Sequence, residues 1–251
     1  MGLARGRVAF PEYEATGRRQ IRFRHPGYNN ATNVLFRLPA TDDDDNKQPC
    51  LWAQIALDAC AIIADNRREG WLSMTRTDAS GGERIEANSM LHGTDYYYHL
   101  PTYDNAIPYP VVPAFRQWRF PTVDLPAHWL QVAPENASVT TTASLSNLTD
   151  ALQDATGNYC RISCGQEDLQ TVHVVPIAER YWWQLNGMSQ YTISVAATQD
   201  DLANALLLRA DLQIAFDKPR FFLAPKPVKS YDINSIPVSY THLTLPTILR
   251  V

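Results

Sequence analysis

The sequence predicts an α+β chain with a β-rich first part and a smaller second part in which two strands precede a helix. Three observations support this class. Apolar residues recur at three- and four-residue steps over residues 52–65, which predicts one long helix. Six prolines interrupt residues 100–126 and exclude long helices there. From Asn158 onward, short apolar runs alternate with turn residues and then give way to helical spacing.

The composition is that of a folded protein. The chain has 251 residues, of which 45% are hydrophobic and 19% charged, enough for one large or two small domains. The net charge of -4 favours no polyanion partner, so binding to nucleic acid would need a locally basic surface. Neither a membrane-spanning apolar stretch nor the apolar core of a signal peptide is present, which predicts an intracellular protein with no membrane partner and with cysteines as thiols.

The first part is expected to be mostly strands. Its first 40 residues carry seven arginines against two glutamates, which form either a solvated arm or a surface that faces phosphate. The four aspartates at 42–45 indicate a surface loop more than a cation site, because adjacent carboxylates repel one another. Five aromatic residues are either a base-stacking set or, more commonly, core and rim residues: Tyr96, Tyr97, Tyr98, Trp118 and Trp129. Strands are predicted at 21–24, 34–38, 71–75, 95–100 and 114–120.

The second part is expected to begin after a linker rich in Ser, Thr, Asn and Ala. A short helix is predicted over 148–156. Cys160 and Cys164 could supply half of a zinc site, but no second Cys/His pair follows at suitable spacing. A Gly-x-Ser-x-Gly elbow, which a serine hydrolase would need, is absent. Strands are then predicted at 159–163, 171–175 and 221–223, and helices at 177–185, from Asp200 through 208, and at 211–217.

The second part resembles a known family. The strings that carry the resemblance are Cys160-Arg-Ile-Ser, Val172-His-Val-Val-Pro176, Asn186-Gly-Met188, Asn204-Ala-Leu-Leu-Leu-Arg-Ala-Asp-Leu-Gln213 and Phe216-Asp217. Together they are similar to the HNH domain of a fungal group of HNH-nuclease-domain proteins. More loosely, Leu57-Asp-Ala-Cys60 and Tyr109-Pro-Val-Val-Pro113 look like the companion domain of that group. The resemblance covers about residues 20–230.

Composition and the resemblance together predict a division of the chain, and the resemblance implies the fold of its second part. Residues 1–20 would be a basic arm, 21–132 a β-rich companion domain with one long helix, and 133–149 a linker. Residues 150–230 would be an HNH-like module of the ββα-metal type. Residues 238–251 resemble a string that recurs at the ends of unrelated conceptual translations, which predicts a non-native tail.

The resemblance also implies site residues and partners. His173 matches the strand histidine that acts as general base, and Asn204 matches the asparagine that holds the connecting loop. Gln213 stands where the helix histidine would bind a divalent ion such as Mg, Mn, Zn or Ni. Asp217 lies one helical turn further and could be a second ligand. The implied partner is nucleic acid.

Two departures from the family pattern weaken the metal site. A glutamine offers only a neutral carbonyl oxygen, whereas imidazole is a good ligand for divalent ions. Val172, where many HNH modules carry a ligand, cannot bind metal. The sequence therefore supports an HNH-type metal-dependent endonuclease impaired at position 213, with a catalytically inactive pseudonuclease that serves as a binding or scaffold protein as the alternative.

Each site residue also has a structural interpretation. His173 could be a buried, hydrogen-bonded histidine on an apolar strand, and Asn204 could brace the loop in an active or inactive protein alike. Asp217 could pair with a neighbouring cation, Lys218 or Arg220. Arg209 could face phosphate or pair with Asp211, and the sequence does not decide between them.

Overall fold

The computed structural model describes residues 19–77, 83–103, 107–130, 147–218 and 220–224. Helices and strands are mixed in this part of the chain, which is compatible with the α+β class. The chain divides into two compact units, and the division falls between Trp118 and Arg119. None of the helices among these residues is both long enough and apolar enough to cross a membrane.

The first unit contains seven strands and one α-helix among its described residues. The strands are β1 (Gln20–Arg24), β2 (Val34–Pro39), β3 (Asp42–Asp43), β4 (Pro49–Trp52), β5 (Trp71–Ser73), β6 (Met90–Leu91) and β7 (Asp95–His99), and the helix is α1 (Ala53–Ile63). The larger sheet has the order β2-β1-β7-β5, in which β1 and β7 run parallel and the other pairs antiparallel. The smaller sheet has the order β3-β4-β6.

Alternation along the strands separates the two faces of the larger sheet. Ile21 and Phe23 of β1 are fully buried, while Arg22 and Arg24 point to the opposite face. The ring of Phe23 stacks on Phe36 of β2, with 4.9 Å between ring centroids. The periodic apolar residues predicted at 52–65 form α1, which lies against β2 and β4. The sequence prediction of this helix is therefore confirmed to within one or two residues.

One predicted strand of the first unit is wrong. Residues 114–120 form a single 3-10 turn at Phe115–Gln117 instead of a strand. Its backbone bonds are local, from Gln117 N to Ala114 O and from Trp118 N to Phe115 O. Trp118 is anchored by its indole N–H, which donates to Asn66 Oδ1 at 2.9 Å. Trp118 is a buried core residue, as the more common interpretation of the aromatic residues expects, but it lies in a loop and not in a strand.

The second unit is built around one antiparallel hairpin. Its regular elements are α2 (Ala127–Leu130), α3 (Leu148–Thr156), β8 (Leu169–His173), α4 (Arg180–Leu185), β9 (Ala205–Arg209) and α5 (Ala210–Asp217). β8 pairs with β9 from Leu169 opposite Arg209 to His173 opposite Ala205. Helix α3 matches its predicted range, and Asn147 caps it by accepting from Asp150 N. The predicted linker residues 133–146 lie outside the described residues.

The hairpin is covered by a helix on each face. On one face Ala205 and Leu207 pack with Leu152 of α3. On the other face, Val172 and Leu208 form a cluster with Cys160, Ile162 and Phe221, against which Leu206 and the α5 residues Leu212, Ala215 and Phe216 pack. Because successive residues of a strand point to opposite faces, the continuous apolar run of β9 is buried on both sides.

Two predictions for the second unit are wrong, and the strand predicted at 221–223 is reduced to one bridge residue, Phe222. Residues 159–163 are a turn, closed by Cys164 N donating to Cys160 O, and not the first strand of the hairpin. Residues 200–208 are not a helix: a 3-10 turn spans Leu202–Asn204, and β9 follows. The side chains of Asp201 and Asn204 bond to loop backbone, which ends helical pairing there. The ββα unit is thus β8, β9 and α5.

Candidate active site on the second unit

His173 is the last residue of β8, and its side chain is 22% exposed. Its Nε2 lies 3.0 Å from Oδ1 of Asp200, whose own side chain is 68% exposed. When Nε2–H donates a hydrogen bond to Asp200 Oδ1, Nδ1 carries the free lone pair. Among the described residues Nδ1 has no hydrogen-bond partner, so it is available to accept a proton from water. The histidine is thus oriented by a carboxylate and is not sealed in the core.

Asn204 holds the strand end that carries His173. Its side chain is almost completely buried, at 3% exposure. Its Oδ1 accepts from Val175 N at 2.8 Å, and its Nδ2 donates to Val175 O at 3.1 Å and to Gln199 O at 3.0 Å. Its backbone carbonyl accepts from Val174 N at 2.8 Å. Asn204 therefore ties the chain just after His173 to the loop just before β9.

Asp201 organises the same loop from inside. Its buried carboxylate accepts from Ile193 N, Ser194 N and Ala203 N at 2.8–2.9 Å. Burial by itself raises the pKa of the Asp201 carboxyl, but these backbone donors lower it by more, so the pKa lies below its usual range. The adjacent Asp200 is then held at the position from which it reaches His173.

The two proposed metal ligands lie one turn apart on α5. Gln213 is half-buried and Asp217 is exposed, and neither side chain makes a hydrogen bond or ion pair with another described residue. Val172 is 4% exposed and belongs to the core of the hairpin. The described part of the chain holds no group of three His, Cys, Asp or Glu side chains that could bind a metal ion. His173 and Asp200 are brought together, but they do not form such a group with Asp217.

Other charged candidates are used in local structure. Arg209 donates through Nε and Nη2 to the two carboxylate oxygens of Asp211, each at 2.7 Å. Of the two readings that the sequence left open for Arg209, the ion pair is the one observed. Asp42 lies in β3 and accepts from Trp52 N, while Asp44 caps a turn by accepting from Asn46 N and Gln48 N. The aspartate run is therefore part strand and part turn.

The cysteines and one serine–histidine pair show no catalytic arrangement. All four cysteines are free thiols; Cys160 is buried and Cys164 is exposed. Ser73 Oγ lies 2.9 Å from His99 Nε2, a pair that the sequence analysis did not find. The Ser73 hydroxyl also donates to Thr75 O at 2.8 Å, and both side chains are buried. A serine whose hydroxyl donates its hydrogen bond to a backbone carbonyl, and not to a base, is not an activated nucleophile.

Sequence analysis missed Asp200 as a site residue. It assigned the Asp200-Asp201 pair to the start of a helix, which is where such residues usually cap. Asp201 does cap a 3-10 turn, because its side chain accepts from Ala203 N. Only the folded structure distinguishes the roles of the two aspartates. Pairing of β8 with β9 brings Asp200 next to His173, which is 27 residues away in the sequence.

Comparison with known proteins finds a likeness in the region of the hairpin. Residues 160–224 match the family model described as HNH endonuclease. No curated protein and no solved structure matches the chain. The match includes β8, β9 and α5, together with the loop that Asn204 and Asp201 hold. It suggests a nuclease-type function and an interaction with nucleic acid, and the family generally uses divalent metal ions. The likeness to the HNH endonuclease family is therefore shown for residues 160–224, about a quarter of the chain.

Proposed function

We propose that this protein is an endonuclease that hydrolyses phosphodiester bonds of nucleic acid, with His173 as general base. The observation that supports this most is the His173–Asp200 pair, at 3.0 Å, inside the HNH domain. A carboxylate on one ring nitrogen fixes the orientation of an imidazole and stabilises the imidazolium that forms when the other nitrogen takes a proton.

In the proposed reaction His173 Nδ1 removes a proton from a water molecule as the water oxygen attacks phosphorus. The new P–O bond forms while the bond between phosphorus and the leaving sugar oxygen breaks, and that oxygen is then protonated from solvent. Asn204 is a positioning residue, since it fixes the backbone that carries the base. General-base catalysis of this kind contributes roughly 10²- to 10⁴-fold.

A divalent ion, where the family uses one, stabilises the negative charge on the phosphate and leaving oxygen. The donor set on α5 does not fit a resident ion: it offers one neutral amide, Gln213, and one exposed carboxylate, Asp217, with apolar Val172 in the core. We therefore propose that Gln213 leaves the enzyme impaired relative to a chain with histidine there.

Plasmid nicking tests this proposal. The chain would be assayed with Mg²⁺, Mn²⁺, Zn²⁺ or Ni²⁺ and with a chelator, alongside His173→Ala, Asp200→Asn and Gln213→His. His92→Ala is the matched control, because His92 is a half-exposed histidine of the first unit. We expect slow nicking by the chain, a loss of about 100-fold or more in His173→Ala, an intermediate loss in Asp200→Asn, and faster nicking by Gln213→His.

Three results would contradict parts of the proposal. Equal nicking by the chain and His173→Ala would exclude His173 as the base. If Gln213→His nicks the plasmid and the unsubstituted chain does not, this chain is a pseudonuclease that keeps the fold. No gain in Gln213→His, together with no thermal stabilisation of that variant by any of the four ions, would exclude position 213 as a metal ligand.

A further inference from the structure

The four-stranded sheet of the first unit has one polar face whose residues are fixed by strand register. Arg22 of β1 is opposite Arg37 of β2 and also opposite Asp95 of β7. Arg24, two residues along β1, is opposite Tyr97 of β7. Residues opposite one another in a ladder share a face, so these five side chains form one surface, here called the arginine face.

The arginine face carries excess positive charge. Three guanidinium groups, of Arg22, Arg24 and Arg37, share it with one carboxylate, that of Asp95. Arg22 binds both oxygens of Asp95, and Arg24 binds one of them as well, so this carboxylate is already divided between two cations. Arg37 is exposed and makes no ion pair within the described residues. The chain as a whole is negative at -4, so the positive charge here is a local feature.

The position of Arg37 points to an external anion. Like charges directly opposite on neighbouring antiparallel strands are destabilising, and Arg22 faces Arg37 in this way. A phosphate between the two guanidinium groups would remove that repulsion and form charge-assisted hydrogen bonds. The arrangement therefore favours a ligand with repeated phosphates over a neutral one.

Aromatic rings lie along the same side of the sheet. Tyr97 is half-buried between Arg24 and Ser73 in the register. On the next strand Trp71 lies opposite His99, but both rings are buried, at 9% and 4% exposure, and the Arg84 guanidinium lies 3.8 Å from the Trp71 ring centroid. Tyr97 is therefore the ring of this set that a ligand can reach, and a guanidinium cluster beside a reachable aromatic ring is the combination that binds phosphate and stacks a base in single-stranded nucleic acids.

The width of the sheet favours binding of a single strand over binding of a duplex. Four strands at the usual spacing place the two edge strands about 14 Å apart. The major groove of a duplex is about 12 Å wide and admits a helix or a two-stranded ribbon. A four-stranded face does not enter it, whereas a single strand can lie across such a face with a base against the Tyr97 ring.

We propose that the arginine face binds single-stranded nucleic acid. This inference rests on the proposed function, because it supplies the substrate-holding surface that a nuclease of net negative charge needs. The phosphates would contact Arg22 and Arg37, whereas Arg24, 17% exposed and bonded to Asp95 and Asn33, adds positive charge beside them, and a base would stack on Tyr97.

Fluorescence anisotropy with the full chain carrying His173→Ala tests the proposal without cleavage. The probes are a labelled mixed-sequence single-stranded DNA and the duplex of the same sequence, over a range of salt concentrations. The variants are Arg37→Glu, Arg37→Gln and Tyr97→Leu. Lys47→Glu is the matched control, because Lys47 is an exposed residue of the same unit in the turn between β3 and β4 and undergoes the same charge change.

We expect tighter binding to the single strand than to the duplex. Arg37→Gln should weaken single-strand binding by roughly five- to tenfold at about 50 mM salt and reduce the salt slope by about 0.7, the contribution of one phosphate contact. Arg37→Glu should weaken it further, and Tyr97→Leu by about fivefold or more, while Lys47→Glu changes it little. Because Arg37 is exposed, unchanged unfolding midpoints would exclude misfolding as the cause.

Equal affinity of Arg37→Glu and Lys47→Glu for the single strand would overturn the proposal. So would equal or tighter binding of the duplex. Nicking by the unsubstituted chain is measured separately. If substitution of Arg37 weakens binding but the unsubstituted chain does not nick the plasmid, the proposed nuclease activity is contradicted and the proposed binding by the arginine face stands. If the chain nicks the plasmid but substitution of Arg37 does not change binding, the nuclease activity stands and the binding proposal is contradicted.

Discussion

Truncation of Asn204 to alanine is expected to destabilise the second unit substantially. The change removes three hydrogen bonds of 2.8–3.1 Å and leaves one backbone N–H and two backbone carbonyls without their partner. An unsatisfied buried polar group costs about 1–3 kcal/mol. Val175 is only half-buried and water can reach part of the site, so the lower end applies to each group. We expect a loss of about 3 kcal/mol in the free energy of unfolding.

Urea unfolding followed by tryptophan fluorescence measures this loss, because Trp182 and Trp183 are buried in the same unit. Asn158→Ala is the matched control: Asn158 is an exposed asparagine of the second unit whose side chain makes no bond to a described residue. Its effect should stay within about 0.5 kcal/mol. An Asn204→Ala effect as small as that of the control would refute the claim that this side chain holds the loop.

Three further predictions concern packing and pH. Leu152→Ala should destabilise the second unit by about 2–4 kcal/mol in the same urea assay, because Leu152 is 2% exposed and fills one side of the hairpin; an unchanged midpoint would exclude α3 from that core. Asp95 is affected by burial, which raises its pKa, but hydrogen bonds from its arginine and threonine neighbours lower the pKa to about 2. Its contribution of about 1–2 kcal/mol should therefore be present above the unfolded pKa near 4 and disappear as pH falls towards 2, so the stability difference between the chain and Asp95→Asn should shrink over that interval. Gly70→Ala should destabilise the first unit by about 1–3 kcal/mol, since a Cβ at Gly70 would lie 2.7 Å from His99 O and closer still to the Tyr98 ring; a neutral effect on the thermal midpoint would contradict this close approach.

Local patterns predicted the elements whose stability is local. The spacing of Ile55, Ala59 and Ile62 indicated α1, and the capping residue Asn147 marks the start of α3. The strand Gln20–Arg24 was predicted because apolar and charged residues alternate along it, and Val34–Pro39 because it is a mostly apolar run that follows turn residues. In each case the residues that determine the element lie within it or next to it.

β9 was misread because its structure depends on a distant partner. Ala205 to Leu208 is a short apolar run, which periodicity cannot assign to a strand or a helix, and leucine and alanine favour a helix. Pairing with β8, more than 30 residues away, and burial on both faces make it a strand. Asp200 was missed for the same reason, since its contact with His173 exists only after this pairing forms.

The packing of α3 on β9 has a consequence for how this domain can be moved between proteins. The segment that matches the family begins at residue 160, but Leu152, which covers Ala205 and Leu207, precedes it. A fragment cut at the boundary of sequence similarity would expose that side of the hairpin to water and would be prone to aggregation. A fragment for use in a chimeric enzyme should therefore start at Asn147, so that it includes the capping residue, helix α3 and the hairpin.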